Sequence, residues 1–313
     1  LEVLYNQMEI FKFLIYFYMI LALASLALGF YRLFFGRKFR FERALSLAFF
    51  TAFAVHALNL ALRAYISGHA PWSDAYESLV YISLISVLAG VLFFKHQSFA
   101  LGAASLFASV SLLVAHLNFI NPQITNLVPV LKSFWLSVHV SVITASYGFL
   151  GFGFVLGLVG LILMALKNDK NEQKLSEQIR YLAATDELSL IIGLSLLTIG
   201  NFLGGVWANE SWGRYWGWDS KESWSYITII VYVIVLHLRF IPKLRGIFAF
   251  LTASVLSFAS VLFTYFGVNF YLSGLHSYAN GESFGISGLI YLILAALALL
   301  IALAYRGRDI KVV

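Results

Sequence analysis

Residues 135–166, WLSVHVSVITASYGFLGFGFVLGLVGLILMAL, form an apolar run without Asp, Glu, Lys or Arg. One helical crossing of a bilayer core about 30 Å thick needs roughly 20 apolar residues. This run therefore predicts a membrane-spanning helix that tilts or extends beyond the bilayer. The whole chain is 61% hydrophobic and only 12% charged, a composition that indicates an integral membrane protein and argues against a soluble domain.

Eight other apolar runs alternate with short polar segments, so we predict an all-α bundle of nine crossings in one membrane domain, residues 8–313. The crossings are predicted at 10–34, 44–66, 76–94, 99–118, 135–166, 187–207, 223–240, 247–270 and 286–305. The alternating strands of a membrane barrel are missing from the sequence. Residues 167–186 are interpreted as a charged linker. Leu1 to Gln7 precede Met8 and are expected to be a vector remnant.

Most of the 21 Lys and Arg residues fall in alternate loops and in the C-terminal tail. Short cytoplasmic loops are enriched in these residues, which predicts an outer N-terminus and a cytoplasmic C-terminus. The segments 67–74, 117–134, 204–222 and 271–285 then lie outside the cytoplasm. Topology explains the net charge of +6, so we expect the lipid bilayer, and no nucleic acid, beside the basic residues.

Five of the seven tryptophans lie in residues 207–224, WANESWGRYWGWDSKESW, within a predicted outer loop at about 204–224. A single tryptophan near a helix end is usually an interfacial anchor, but this density predicts a broad aromatic surface. Glycines in the loop would let the backbone turn and approach a ligand. A flat, apolar macrocycle fits such a surface, with Arg214 or Lys221 available for its carboxylates. The candidate binding residues are Trp207, Trp212, Gly213, Arg214, Trp216, Gly217, Trp218, Asp219, Lys221 and Trp224.

If the macrocycle is haem, its iron needs axial ligands, and a chain with three methionines and no cysteine offers mainly histidine. His139, about one turn into the fifth crossing, and His276, in the last outer loop, belong to the same predicted side. They are candidates to bind iron from opposite faces, as in haem b held non-covalently by two histidines. His237 lies beyond Trp224 and about 20 Å deeper. An ionisable side chain at that depth is costly unless it faces protein or a cavity, which makes His237 a functional candidate.

The other histidines and several absent motifs narrow the function further. His56, inside the second crossing, is a further candidate ligand, with a packed, hydrogen-bonded histidine as the equal alternative. His69 and His116 are expected to shape the haem chamber or to hydrogen-bond loop backbone, and His96 to face solvent. The absence of cysteine excludes a CxxCH attachment motif on this chain. Walker-type, nicotinamide-binding and HExxH motifs are also missing from the sequence.

The stretch from Trp212 to Asp219 resembles the WWD signature of membrane haem-handling proteins. Its flanks at 206–210, 221–224 and 236–239 resemble the CcsA family of cytochrome c biogenesis proteins, also called ResC. These flanking segments make the resemblance more specific than a tryptophan motif alone.

Three more segments extend the resemblance to about residues 50–280. Residues 129–140 and 274–279 resemble the segments that carry the external haem histidines of the family, and residues 67–77 resemble an N-terminal family segment. Asp74 stands in place of an expected asparagine, and Ser220 in place of a frequent proline. Neither departure removes a candidate ligand.

The resemblance implies that His139 and His276 flank an external haem. It also implies that His237 supports an earlier haem within the membrane, whose second ligand can come from another subunit. The implied partners are a CcsB-type or ResB-type membrane subunit, an apocytochrome c and a thioredoxin-like thiol reductant. The implied location is a bacterial cytoplasmic membrane with the WWD loop on the periplasmic or extracellular side; a plastid thylakoid membrane is the alternative.

The expected function is haem transport and presentation, in which the chain and its partner deliver haem to the CxxCH of apocytochrome c and support thioether attachment. The chain would belong to a cytochrome c synthase, or haem lyase, complex and contribute position rather than a catalytic acid, base or nucleophile. One alternative is a haem exporter that delivers to a haem chaperone, like the CcmC proteins. Another is a di-haem b-type electron carrier, although its ligands normally lie within the bundle.

Overall fold

The computed structural model describes residues 1–36, 41–93, 98–117, 120–127, 132–272, 274 and 288–310. Among these residues the regular structure is helical, without strands. The helices are α1 (Glu2–Met8), α2 (Ile10–Phe35), α3 (Glu42–Ser67), α4 (Ala75–Leu92), α5 (Ser98–Ala115), α6 (Phe134–Ala165), α7 (Glu172–Trp212), α8 (Ser220–His237), α9 (Ile247–Leu262), α10 (Val268–Tyr271) and α11 (Gly288–Tyr305). A π-helical turn, Phe263–Gly267, joins α9 to α10, and a 3-10 turn, Leu238–Phe240, follows α8.

Nine helical segments in the described ranges are long and apolar enough to cross a membrane, which confirms the predicted membrane helix bundle. Most of them begin and end within a few residues of the predicted crossings. The exception is the sixth, α7, which extends in both directions beyond the predicted 187–207. The orientation of the termini stays a prediction.

Helix α7 has 41 residues and is therefore about 60 Å long, twice the thickness of a bilayer core. The predicted linker at 167–186 is wrong from Glu172 onward, since these residues form the first turns of α7. Leu175, Ile179 and Leu182 recur at helical spacing and are fully buried. Charged residues surround this apolar face. The average hydropathy of the segment is therefore low, and hydropathy alone did not predict a helix there.

Helix α6 lies at the centre of the bundle and contacts α4, α5, α7, α9 and α11. Its glycines allow neighbouring helices to come close. A Cβ added to Gly148 would lie 2.7 Å from Ile85 of α4, and one added to Gly160 would lie 2.6 Å from Leu251 of α9. Small residues permit this close packing in membrane bundles, where apolar side chains alone give little preference for another helix over lipid.

The N-terminal residues expected to be a vector remnant form most of α1. Tyr5 in this helix is 8% exposed and lies beside the guanidinium group of Arg63 in α3. The origin of residues 1–7 stays a prediction, but the structure places one of their side chains in the packed interior.

Candidate functional site

The aromatic connection between α7 and α8 is shorter than the predicted loop at 204–224. Helix α7 continues to Trp212 and ends at Gly213, which has φ 70° and donates its N–H to Asn209 O at 2.9 Å. Helix α8 begins after Asp219, whose carboxylate accepts the N–H of Glu222 at 2.8 Å. A glycine at the helix end and an acidic N-cap thus restrict the non-helical part to residues 213–219, here called the aromatic turn.

Trp218 in the aromatic turn has φ 57°, a left-handed conformation that is rare and costly for a large side chain. The carboxylate of Glu222 stabilises this conformation. Its Oε2 accepts the N–H of Gly217 at 2.7 Å and the N–H of Asp219 at 3.3 Å, one on each side of Trp218. The indole of Trp218 is consequently held outward and is 70% exposed. Backbone strain of this kind is common where a fold holds a residue in place for a ligand.

The tryptophans of this region divide into a packed group and an outer group. Trp207 is 1% exposed and meets Trp212 edge-on, with ring centroids 4.8 Å apart, while Trp224 packs against Phe263 of the π turn. In the outer group, Trp216 meets Trp218 edge-on at 5.6 Å. The buried Nε1 of Trp216 has no hydrogen-bond partner among the residues described above. The outer rings can stack on a flat ligand.

His139 lies half-buried on α6, against the backbone of α7. Its Nδ1 is 2.7 Å from Gly200 O. Since a carbonyl oxygen can only accept, Nδ1 carries the proton and the lone pair is on Nε2, the state required of an iron ligand. The imidazole packs on Gly204, where an added Cβ would lie 2.7 Å from its Cε1, and Trp207 lies nearly parallel to it at 6.3 Å. Two glycines of α7 thus set the position and tautomer of this histidine.

The two basic residues predicted to meet carboxylates of the ligand are placed differently. Arg214 is exposed, and its guanidinium group covers the backbone of Gly217 so closely that a side chain there would overlap it. Lys221 instead donates from Nζ to Asn269 Oδ1 at 2.9 Å and to Tyr265 O at 3.4 Å. The Tyr265 carbonyl belongs to the π turn, which offers acceptors that a regular helix would use internally. Lys221 therefore ties the start of α8 to the helix that leads toward residue 276.

His276 lies outside the described residues, but Gly274 is described. A Cβ added to Gly274 would lie 3.6 Å from Asp219 Cβ and 3.5 Å from Ser220 N. Two residues before His276, the chain is therefore in contact with the end of the aromatic turn. Because more than 50 residues separate the two positions along the chain, the sequence alone did not predict this contact.

His237, the candidate for a membrane haem, is the last residue of α8 and is exposed on the outside of the bundle. Its Nδ1 lies 2.6 Å from Val233 O, which again assigns the proton to Nδ1 and the lone pair to Nε2. Close to this level, Arg239 pairs with Glu187 of α7 at 2.8 Å. An exposed histidine on a membrane-spanning helix faces lipid or another protein.

His56 is fully buried and its two ring nitrogens both have partners. Nδ1 lies 3.3 Å from the hydroxyl of Tyr18, and Nε2 lies 3.2 Å from Val80 O. This geometry corresponds to the predicted alternative to an iron ligand, a packed and hydrogen-bonded histidine. An iron could bind His56 only by displacing one of these hydrogen bonds.

A buried ion pair near the same end of the bundle was not predicted from the sequence. Arg63 of α3 is 1% exposed and Glu77 of α4 is 0% exposed, and Arg63 Nε donates to Glu77 Oε1 at 2.8 Å. Arg63 also donates to Pro122 O at 3.0 Å, which holds the connection after α5. The sequence did contain an indication of this pair. One Arg and one Glu lie at facing ends of two consecutive apolar runs, where a lone charge would be costly.

Next to this pair, the turn before α4 is attached to the helix that carries His139. Trp72 Nε1 donates to Ser137 O at 2.9 Å. Asp74 caps α4 by accepting the N–H of Glu77 at 2.7 Å, and burial together with the nearby Glu77 carboxylate raises the pKa of Asp74 to about 6. Four predicted outer segments thus converge at one end of the bundle, around His139 and the aromatic turn.

The remaining histidines at this end bond to backbone. His69 Nδ1 lies 3.1 Å from Ala70 O, and His116 Nδ1 lies 2.8 Å from Leu112 O. His116 Nε2 also lies 3.3 Å from the hydroxyl of Tyr76, and burial lowers the pKa of His116. The contact of His69 corresponds to the second of its two predicted roles, whereas His116 bonds to a carbonyl of α5 rather than of a loop. His96 lies outside the described residues.

The fold and this end of the bundle define a polytopic integral membrane protein that presents a strained aromatic turn beside an oriented histidine. The chain belongs to the cytochrome C assembly protein family, whose model matches residues 72–276. This membership confirms the predicted family and assigns the chain to cytochrome c biogenesis, a process that handles haem.

Individual relatives agree with the family. Protein NrfI of Wolinella succinogenes is 53% identical over 283 residues, which are 90% of this chain and 31% of NrfI. The cytochrome c biogenesis protein CcsA of Prochlorococcus marinus is 35% identical over 260 residues, covering 74% of this chain and 82% of that protein. CcsA of Chlamydomonas reinhardtii is 39% identical over 228 residues, covering 71% and 64%. The chain thus spans less than a third of NrfI but most of the CcsA protein of Prochlorococcus.

Proposed function

We propose that the chain carries haem b as cargo and presents it, at the aromatic turn, to the CxxCH of an apocytochrome c. The observation that carries this proposal is the pairing of His139, fixed with its lone pair on Nε2, with an aromatic turn whose Trp218 is held outward at a cost in backbone strain. Both features prepare the protein for a ligand that is flat and contains a metal. The names of the CcsA relatives, cytochrome c biogenesis proteins, agree with such a cargo.

The second external ligand in this proposal is His276. The contact between Gly274 and Asp219 supports it, because it keeps this part of the chain beside the aromatic turn. Exposed Arg214 is the better placed of the two predicted bases to meet a propionate, since Lys221 is already bonded to Asn269. The lysine then acts by holding α8 against the segment that precedes His276.

The inner haem in this proposal is held between two proteins. His237 is exposed on the surface of α8, so a ligand on the other face of the iron would have to come from outside the chain. We assign that ligand to a CcsB-type or ResB-type membrane subunit. Haem would pass from this pair to the aromatic turn, with a thioredoxin-like reductant keeping the client thiols available.

The chain's own contribution is binding and orientation of the haem vinyl edge toward the client thiols. None of the described side chains around the aromatic turn has the arrangement of a nucleophile with a paired base. Thioether attachment would therefore depend on proximity, in a complex that functions as a cytochrome c synthase.

Absorption spectra of the complete complex, oxidised and reduced, test the ligands. His139→Ala and His276→Ala are expected to lose the b-type spectrum of a bis-imidazole haem, and added imidazole is expected to restore it. His116→Ala is the control, because it removes a half-buried histidine at the same end of the bundle. Full haem loading and full cytochrome maturation in both ligand variants would refute the assignment.

The inner site has a separate test that uses the partner. His237→Ala is expected to abolish haem that co-purifies with the CcsB-type subunit while leaving the external ligands intact. Unchanged haem content in this variant would refute the inner site without affecting the external one.

Labelling of introduced cysteines tests the proposed orientation, and the absence of natural cysteine makes the chain suitable for it. Tyr215→Cys, at a position 65% exposed in the aromatic turn, is expected to react with an impermeant maleimide in intact cells. Asp169→Cys, in the connection between α6 and α7, is expected to react only after permeabilisation. The reverse pattern would invert the proposed topology.

A further inference from the structure

A carboxyl group lies inside the bundle, away from the aromatic turn. Asp186 of α7 is 0% exposed, and neither of its oxygens has a hydrogen-bond partner among the described residues. A Cβ added to Gly153 of α6 would lie 2.6 Å from its Oδ1, and one added to Gly157 would lie 3.6 Å from its Oδ2. The carboxyl therefore packs directly on the backbone of α6, in space that exists because these two residues are glycines.

Asp186 lies one residue before the predicted sixth crossing, 187–207, but it lies beside residues inside the crossings formed by α6 and α9. Gly153 precedes the end of α6 by twelve residues, a distance of about 18 Å along the axis. Ser254, on the α9 side of the carboxyl, lies seven residues after the start of α9, or about 10 Å inside. Asp186 is therefore separated from these two helix ends by about 10 to 18 Å of packed helix.

Two hydroxyl groups near Asp186 are also buried without a close hydrogen-bond partner. Tyr232 of α8 and Ser254 of α9 are both 0% exposed, and the hydroxyl oxygens of both lack a hydrogen-bond partner within the described ranges. Ser254 is the hydrogen-bonding neighbour of Asp186, while Tyr232 has Ser257 as its hydrogen-bonding neighbour and lies close enough to interact electrostatically with Asp186. Three buried polar groups from three helices thus lie near one another without a close hydrogen bond, and such groups in a native structure need an explanation.

The charged groups around this point do not neutralise a carboxylate. Helix α6 presents glycines, α8 presents Tyr232 and α9 presents Ser254. The nearest charge on α7 is Glu187, which pairs with Arg239 at the bundle surface and disfavours a second negative charge beside it. No ion pair joins Asp186 to a basic residue in the described part of the chain.

We propose that Asp186, Tyr232 and Ser254 form a membrane-embedded proton-binding site, in which Asp186 carries a proton and is neutral. An isolated carboxylate in an apolar interior costs far more free energy than its protonation does. A metal cation would need several oxygen ligands around it, whereas one side of the carboxyl is closed by the α6 backbone. A carboxylic acid is at once a donor and an acceptor, so a protonated Asp186 can bond to a neighbouring hydroxyl group such as that of Ser254 in either direction.

The site is independent of haem, so its test does not depend on the proposed function. Infrared spectra of the full chain in lipid are expected to contain a carbonyl band of a protonated acid at neutral pH, shifted in D2O and lost in Asp186→Asn. Glu187→Gln is the control, because it removes the neighbouring carboxylate and is expected to leave this band. A wild-type spectrum without a band that Asp186→Asn removes would overturn the proposal.

Thermal unfolding gives a second measurement on the same variants. Asp186→Asn is expected to melt like the wild type at neutral pH, because an amide has the shape and charge of a protonated acid. Asp186→Ala is expected to melt earlier, since it leaves a cavity and two unsatisfied hydroxyls. The proposal is overturned if Asn is as damaging as Ala. It is equally overturned if replacing one monovalent cation by another shifts the wild type but not Asp186→Asn.

Discussion

Replacement of Asp74 by asparagine should stabilise the protein at neutral pH and have less effect in acid. Asp74 lies just outside α4, and burial raises its pKa from 3.8 to about 6. A raised pKa means that the folded state binds the proton more tightly than the unfolded state. The favourable contribution of protonated Asp74 is therefore complete below pH 3.8 and is lost as the pH rises through about 6.

The magnitude follows from the shift in pKa. One pKa unit corresponds to about 1.4 kcal/mol, so the upper limit is about 3 kcal/mol. The side chain retains 28% of its exposure, and solvent screening reduces the expected effect to about 1–2 kcal/mol. Asparagine cannot ionise and is as good an N-cap as aspartate, so it should keep the bond to the Glu77 N–H.

The assay is thermal unfolding in detergent, followed by tryptophan fluorescence from about pH 4.5 to about pH 8. The advantage of Asp74→Asn over the wild type should grow as the pH rises. Asp169→Asn, which removes an exposed carboxylate between α6 and α7, is the control for the loss of one negative charge. If the difference between wild type and Asp74→Asn does not change with pH, or if Asn is the less stable at pH 8, the reasoning is wrong.

Three further changes test the outer site. Gly204→Ala should push the His139 ring out of place and lower haem occupancy, measured by absorbance per protein, because the added Cβ would lie 2.7 Å from the ring. Trp218→Gly should raise the melting temperature, by relief of about 1–2 kcal/mol of left-handed strain, while haem occupancy falls. Lys221→Met should cost about 1–3 kcal/mol, read as a lower melting temperature, because it leaves Asn269 Oδ1 without its donor.

The changes at Gly204 and Trp218 each have a control on the same chain. Gly246→Ala adds a Cβ where nothing lies within 4 Å and should leave haem occupancy unchanged. Tyr226→Ala removes an exposed ring beside Trp218 that has no left-handed backbone to relieve, so it should not raise the melting temperature. Unaltered haem occupancy in Gly204→Ala, or destabilisation by Trp218→Gly, would contradict the account of the aromatic turn. Lys221→Met with wild-type stability would show that the bond to Asn269 carries little energy.

Hydropathy predicted the helices of the bundle well, because a bilayer imposes one length and one composition on every crossing. It failed at residues 172–186, where a buried helical face is surrounded by charges. The aromatic turn was predicted too long for a related reason. Tryptophans at 207 and 212 indicate an interface, but composition does not reveal that α7 continues through them until Gly213.

The candidate residues around the aromatic turn could be named from the sequence, but their mutual geometry could not. His139 and the tryptophans are conspicuous as residue types, whereas the room for the imidazole depends on glycines 61 and 65 residues away along the chain. The ion pair of Arg63 with Glu77 could have been suspected from two charges beside apolar runs. The proximity of Gly274 to Asp219 could not, since it depends on how separate helices pack.

At the end of the bundle that carries the aromatic turn, different residues hold the shape of the turn and offer surface to a ligand. Glu222 binds two backbone N–H groups, Lys221 binds α10, and Asp219 caps α8, so the charged residues nearest the aromatic turn are largely used to hold its shape. Polar groups already bonded within the protein gain little from a ligand, whereas an exposed indole gains by burying its surface. The energy available for a ligand is therefore concentrated on the outer rings. Under the proposed function, the left-handed and exposed Trp218 is a stability cost retained for binding.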